Sequence, residues 1–227
     1  MDSSENYRAV RERVVAAAQR AGREVTLLAV SKTRPAASVR GLAAFGQRAF
    51  GENYVQECLA KQRELADPGL EWHLIGPLQS NKAREVATHF DWLHSLDRVK
   101  LVALLDRARP PGRTPLNVLI QVNIDDEASK SGCTPEQIGA LAAVVRTAPR
   151  LALRGLMAIP APAADPRRRE TAFVRMRALF EELRRDHADI DTLSMGMSED
   201  FELAIACGAT MVRVGSALFG ARATTVR

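Results

Sequence analysis

Val25-Thr26-Leu27-Leu28-Ala29-Val30-Ser31-Lys32-Thr33-Arg34-Pro35 is the stretch that decides the fold. A nearly continuous apolar run ends in a charged turn, and Pro35 follows where a helix opens, because the first helical residue needs no N–H. Such a run reads as a parallel strand covered on both faces rather than a half-exposed one. The same unit recurs at Ala49–Gly51, Trp72–Ile75, Trp92–His94, Asn117–Asn123, Leu153–Ile159, Thr192–Met195 and Met211–Val214. Helix starts are expected at Pro35, Asn81, Asp97, Thr134 (with Pro135 and Gln137 as a capping box), Asp165 with Pro166, and Ser198; Gly46 and Gly208 read as stops. Val39/Leu42/Phe45, Ile138/Leu141/Ala142/Val145 and Phe173/Met176/Phe180/Leu183 give one-sided apolar stripes. Eight strand–helix units close as a barrel or open as a doubly wound sheet. The open sheet expects a glycine-rich first turn, and Ser31-Lys32-Thr33-Arg34 carries neither GxGxxG nor a P-loop. The expected fold is therefore α/β, a single (β/α)8 TIM barrel. An additional N-terminal helix precedes it, with Tyr7, Val10, Val14, Ala18 and Ala21 at helical spacing and Gly22 as its left-handed stop.

The 227 residues suit one barrel domain spanning 1–227. The formal charge of +5 raises the question of nucleic acid. However, the dense basic runs Arg167-Arg168-Arg169 and Arg184-Arg185 alternate with Glu170, Glu181, Glu182 and Asp186, which describes a solvated helix face, so no nucleic-acid partner is expected. No apolar run reaches the roughly 18 residues of a membrane span, and the start is acidic at Asp2 and Glu5, so a cytoplasmic protein without membrane attachment is expected. Cys58, Cys133 and Cys207 form neither a disulfide framework nor a CxxC pair, and His73, His89, His94 and His187 lack ligand spacing, so no metal site is expected.

In a barrel of this type the strand C-termini and following loops gather on one face. Lys32, Gly51-Glu52-Asn53, Gly76 to Asn81, Met157 to Pro160, Met195 to Ser198 and Gly215-Ser216 therefore converge. A lysine ending an apolar strand either reaches solvent, pairs with a carboxylate such as Glu52, or is partly desolvated; desolvation frees its amine to attack an aldehyde. Gly215 permits close backbone approach, and Ser216 opens a turn whose free N–H groups suit a phosphate after strand eight; Ser198 offers a second such start after strand seven. Each alone is an ordinary helix cap. Together with Lys32 they describe a site for a phosphorylated aldehyde. Arg213 shares its strand face with Gly215 and points into the barrel mouth. A pyridine nitrogen is a suitable partner for its guanidinium, as is a carboxylate. A ring nitrogen facing arginine stays largely unprotonated, which weakens the ring as an electron sink.

These stretches resemble one family. Leu27–Thr33, Phe50–Glu57, Trp72–Lys82, Gly155–Pro160, Leu193–Ser198 and Val212–Gly220 are similar, in order and over nearly the whole chain, to the pyridoxal phosphate (PLP) homeostasis proteins of the YggS/PROSC type, whose barrel resembles the N-terminal domain of alanine racemase. The resemblance implies that Lys32 holds PLP as a Schiff base, that Ser198, Gly215 and Ser216 hold its phosphate, and that Arg213 meets the pyridine nitrogen. It also implies Asn53 and Met157 as pocket residues. The implied role is storage or delivery of PLP in vitamin B6 homeostasis without catalysis, with apo-PLP enzymes as recipients.

The competing function is a PLP-dependent amino-acid racemase. Two-sided proton transfer needs a second base opposite the lysine, which in alanine racemase comes from a tyrosine of a separate C-terminal domain. Here the chain ends soon after Gly220, and Tyr7 and Tyr54 are its two tyrosines. The same lack of a second domain leads to the expectation of a monomer.

Overall fold

The computed structural model describes residues 3–125, 131–161 and 166–220. Helix α1 (Ser3–Ala21) precedes β1 (Thr26–Val30), α2 (Ala36–Ala44), β2 (Ala49–Glu52), α3 (Val55–Leu65), β3 (Glu71–Leu74), α4 (Ala83–His89), β4 (Trp92–Leu96) and α5 (Val99–Ala108). Then follow β5 (Leu116–Gln121), α6 (Ile138–Arg146), β6 (Leu151–Met157), α7 (Pro166–Asp186), β7 (Thr192–Ser194), α8 (Phe201–Ala206), β8 (Met211–Val214) and α9 (Ser216–Phe219). The strands pair in sequence order and β1 closes on β8, all parallel, with Leu28 opposite Arg213 and Ala29 opposite Val214. This is the expected barrel with its extra N-terminal helix.

Alternation along each strand separates two apolar regions. The larger lies between barrel and helices and includes Leu42, Phe50, Phe90, Leu105, Phe173 and Phe201. Two small groups, Leu28/Ala49/Met211 and Trp92/Leu119/Met157, are distinct from it and fill the barrel interior, as the layered side chains of such barrels do. Helix α1 packs on α8, α9 and α2. Arg13 fixes it by donating two hydrogen bonds to Glu202 (Nε to Oε1 3.2 Å, Nη2 to Oε2 2.9 Å) and by lying 4.7 Å over the Phe201 ring. Gly22 ends α1 at φ +62°, a conformation that costs glycine little, and Arg23 N–H returns to Ala18 O.

The helix starts differ from expectation in detail. Thr134 and Gln137 form the capping box that their spacing predicts. Near Asn81 the chain first makes a 3₁₀ turn over Ser80–Lys82, so α4 opens at Ala83. Arg98 rather than Asp97 precedes α5, and Asp200 rather than Ser198 precedes α8. Asp165 lies outside the described residues. Phe45 does not complete the apolar stripe of α2 inside the core; it stays 41% exposed and stacks against Tyr7 at 6.2 Å.

Candidate functional site

A cavity of about 640 Å³ opens at the C-terminal ends of the strands. Lys32, Asn53, Ser198, Arg213, Gly215 and Ser216 all line it, so six of the expected residues meet although they come from separate loops and strand ends. Met157 does not line it. It is fully buried one layer deeper, beside Trp92 and Leu119.

Lys32 stands two residues beyond Val30, which also lines the cavity, and its side chain is partly exposed there. The residue after it, Thr33, adopts φ +62°, a left-handed conformation that costs a non-glycine residue on the order of 1–2 kcal/mol. Its N–H donates to Glu57 Oε1 at 2.5 Å, which holds the turn in place. Beneath it, Lys61 Nζ donates to Ser31 O (2.7 Å), Glu52 Oε1 (2.6 Å) and Glu57 Oε1 (2.7 Å). Ser31 Oγ adds a 2.6 Å bond to the same Glu52 oxygen. Glu52 is completely buried, and burial raises its pKa above the usual carboxylate range against the opposing pull of Lys61 and Ser31. The Glu52 carboxylate, chemically suited to pair with Lys32, is thus taken by Lys61 instead. Among the described residues no carboxylate pairs with Lys32.

The next part of the cavity wall is built from the loops after β7 and β8. Gly215 N–H donates to Ser198 Oγ at 3.3 Å, joining the two loops. A Cβ on Gly215 would sit 3.2 Å from Val30 O and 3.3 Å from Val30 Cβ, so glycine lets this turn lie against β1 close to Lys32. Ser216 begins α9, whose far end is tied back by Arg34, which donates to Gly220 O and lies 5.8 Å over the Phe219 ring. Ser198 is not the cap of α8. Asp200 orders that loop instead: Met197 N–H donates to its Oδ1 at 2.6 Å, and Arg169 Nε lies 3.3 Å from its Oδ2.

Arg213 is buried, and burial pushes its pKa down to about 10, with Asp200 working in the opposite direction. Nη1 donates to Ser194 Oγ at 2.8 Å and Nη2 to Ala158 O at 2.9 Å, which fixes the guanidinium plane and leaves further N–H groups for the cavity. The arrangement fits PLP in chemical kind: an amine for an aldehyde, hydroxyls and backbone N–H groups for a phosphate, and a fixed cation that can donate to a pyridine nitrogen.

Arg34, Arg169, Gln121 and Lys61 are not among the residues that sequence reasoning singles out for the site. The basic run of Arg169 reads as a solvated face, yet Arg169 lines the cavity and pairs with Asp200. Gln121 also lines the cavity, and its Nε2 donates to Ser131 O. For Lys61 a signal exists: Glu57 lies four residues before it on one helix face.

The fold and the strand-end lysine define a barrel of the alanine racemase type, and the family model described as alanine racemase, N-terminal domain, matches residues 6–223. The chain is 57% identical over 222 residues to the pyridoxal phosphate homeostasis protein of Pseudomonas aeruginosa, covering 96% of this chain and 95% of that protein. PipY of Synechococcus elongatus, solved with PLP bound, aligns with a TM-score of 0.85 and 38% identity over 96% of this chain and 100% of its own. An alanine racemase of Corynebacterium glutamicum aligns with a TM-score of 0.69 at 18% identity over 96% of this chain and 63% of its own, a likeness of fold alone. The chain belongs to the family of pyridoxal phosphate homeostasis proteins.

Proposed function

We propose that this chain, acting as one barrel domain, holds PLP reversibly on Lys32 for storage or delivery and does not turn over a substrate. The observation that carries the reading is the convergence of Lys32, the Ser198–Gly215 turn and the buried Arg213 on one cavity. PLP supplies an aldehyde carbon that an amine attacks reversibly and a ring that withdraws electrons best when its nitrogen is protonated. Lys32 provides the amine. Ser198, Gly215 and Ser216 receive the phosphate, and Asn53 borders the ring. Arg213 offers the ring nitrogen a hydrogen bond from a group that keeps its own proton, which works against carbanion chemistry.

The absence of turnover is supported by where the tyrosines lie. Tyr54 is 61% exposed and outside the cavity lining, and Tyr7 is buried on the inner face of α1, also outside that lining. Neither lines the cavity with Lys32, where a second base would have to stand. No helix among the described residues is long and apolar enough to cross a membrane. The reading extends to apo-PLP enzymes as recipients, to a monomer as the working form and to the cytoplasm as its place.

The test incubates PLP-loaded protein with each L-amino acid in deuterated water, and separately with an apo-PLP enzyme. Cofactor transfer without Cα exchange supports the carrier. Rapid exchange at Cα that depends on Lys32 overturns it in favour of a racemase.

A further inference from the structure

A line of polar side chains, buried except at its outer end, crosses the barrel interior beneath the cavity. Glu71 Oε1 lies 2.7 Å from His73 Nε2, His73 Nδ1 lies 2.9 Å from His94 Nε2, and His94 Nδ1 lies 3.3 Å from Ser194 Oγ, which accepts from Arg213 Nη1 at 2.8 Å. His73, His94 and Ser194 are completely buried. Strands β4 and β7 are not neighbours, so the contact of His94 with Ser194 is made through the interior itself. An apolar layer would have filled this space more simply, since buried polar groups add stability only when every one is satisfied.

Donor and acceptor inventory sets the direction of the line. Arginine only donates, so Ser194 Oγ must accept from it and pass its own hydrogen to His94 Nδ1. His94 then carries its proton on Nε2 and gives that bond to His73 Nδ1. His73 in turn carries its proton on Nε2 and donates to Glu71. Each acceptor has one donor, both imidazoles are neutral, and a cation at one end faces a carboxylate at the other. The reverse direction puts two donors on Ser194 and leaves its hydroxyl hydrogen without a partner among the described residues. Burial foremost, and the Arg213 cation, hold the His94 pKa well below the usual histidine value, in keeping with a neutral ring. The His73 hydrogen bond holds Glu71 below the usual carboxylate range, in keeping with an ionised end.

We propose that Glu71, His73, His94 and Ser194 form a one-way donor chain across the barrel that fixes the orientation and charge of Arg213 toward the cofactor ring, so that they are positioning residues for PLP. This rests on the reading of the cavity as the PLP site. The chain anchors the arginine from below while Ala158 O anchors it from the side. The remaining guanidinium N–H groups then present a fixed donor to the ring nitrogen. Its far end, Glu71, opens β3 with its side chain 46% exposed, at the opposite mouth of the barrel.

The experiment combines imidazole ¹⁵N NMR of the protein without PLP with the absorption and retention of PLP, in wild type, Ser194→Ala, Glu71→Gln and Glu71→Asp. The expected wild-type spectrum shows His73 and His94 as neutral rings, each protonated on Nε2. Ser194→Ala moves the His94 Nδ1 resonance and lowers PLP retention about tenfold, as expected for one hydrogen bond to a charged group. Glu71→Gln keeps an acceptor for His73 but removes the charge, shifts both rings and displaces the PLP absorption band; Glu71→Asp restores the band. Glu71 is half exposed, so this variant folds whether or not the proposal holds. An Nδ1-protonated or cationic ring overturns the chain, as do PLP band and retention unchanged within about twofold in both Ser194→Ala and Glu71→Gln. If wild type takes no borohydride-reducible PLP, the cavity reading fails, and the proposal's ligand with it, even where the NMR shows the donor direction.

Discussion

Replacing Lys61 by methionine removes a cation that makes three short hydrogen bonds and leaves the completely buried Glu52 carboxylate with Ser31 Oγ as its remaining donor. Breaking a buried pair from one side costs about 3–5 kcal/mol, whereas removing both charges together is often close to neutral. For a chain of this length each kcal/mol moves the melting temperature about 2–4 °C, so Lys61→Met should melt about 6–20 °C lower at pH 7. The double variant Lys61→Met/Glu52→Gln should recover most of that loss. The pH dependence has a definite sign. Burial raises the folded-state pKa of Glu52, so its contribution to stability is fully present below the ordinary value of about 4.3 and is lost as pH rises through the folded value. Without Lys61 the folded value rises further, so the deficit of the single variant must shrink as pH falls from about 8 to about 5. Calorimetry on the four proteins of the cycle at several pH values makes the check. A loss below about 1 kcal/mol, typical of an exposed pair, refutes the reasoning, as does a double variant no more stable than the single one.

Arg109 is 1% exposed and donates to Ala87 O (2.8 Å), Phe90 O (2.7 Å) and Thr114 O (2.9 and 2.7 Å). Arg109→Ala leaves three carbonyls without this donor and should cost at least ~3 kcal/mol in urea denaturation, with Arg109→Lys recovering only part because an ammonium cannot reproduce the fork. His94 stays neutral in the fold while an unfolded histidine takes a proton near pH ~6.5, so stability should fall on acidification below about that pH, by up to ~1.4 kcal/mol per pH unit from this residue; His94→Gln should flatten the slope. Ser198→Ala should weaken PLP retention by roughly tenfold or more in equilibrium dialysis, with little change in melting temperature, because its hydroxyl serves the Gly215 turn rather than a helix cap.

The barrel is legible in the sequence because a short apolar run, a turn and a segment of helical spacing recur eight times, and that repetition survives errors of a few residues at each boundary. Short strands such as Ala49–Glu52 are legible for the same reason. The cavity is legible wherever a lining residue closely follows a strand, as Lys32 does, or sits in a glycine turn, as Ser216 does. Residues acting from elsewhere are hidden. Lys61 is on a helix, and nothing local announces that its long side chain reaches under β1 to Ser31 and Glu52. Ser198 reads as a cap because serine before an apolar helix usually is one, but Asp200 two residues later takes the place before the helix and frees the hydroxyl. His73 and His94 lack metal spacing, and their meaning depends on two strands lying side by side with both rings turned inward. The resemblance implies Met157 as a pocket residue, whereas its strand face sends it into the layer below.

The central claim, that Lys32 holds PLP in this cavity, is tested most directly by mixing the purified protein with PLP, reducing with borohydride and mapping the modified peptide by mass spectrometry. The account predicts one stoichiometric label on Lys32, lost in Lys32→Ala and weakened in Ser198→Ala. Stoichiometric label on another lysine, with Lys32 unmodified, would contradict it.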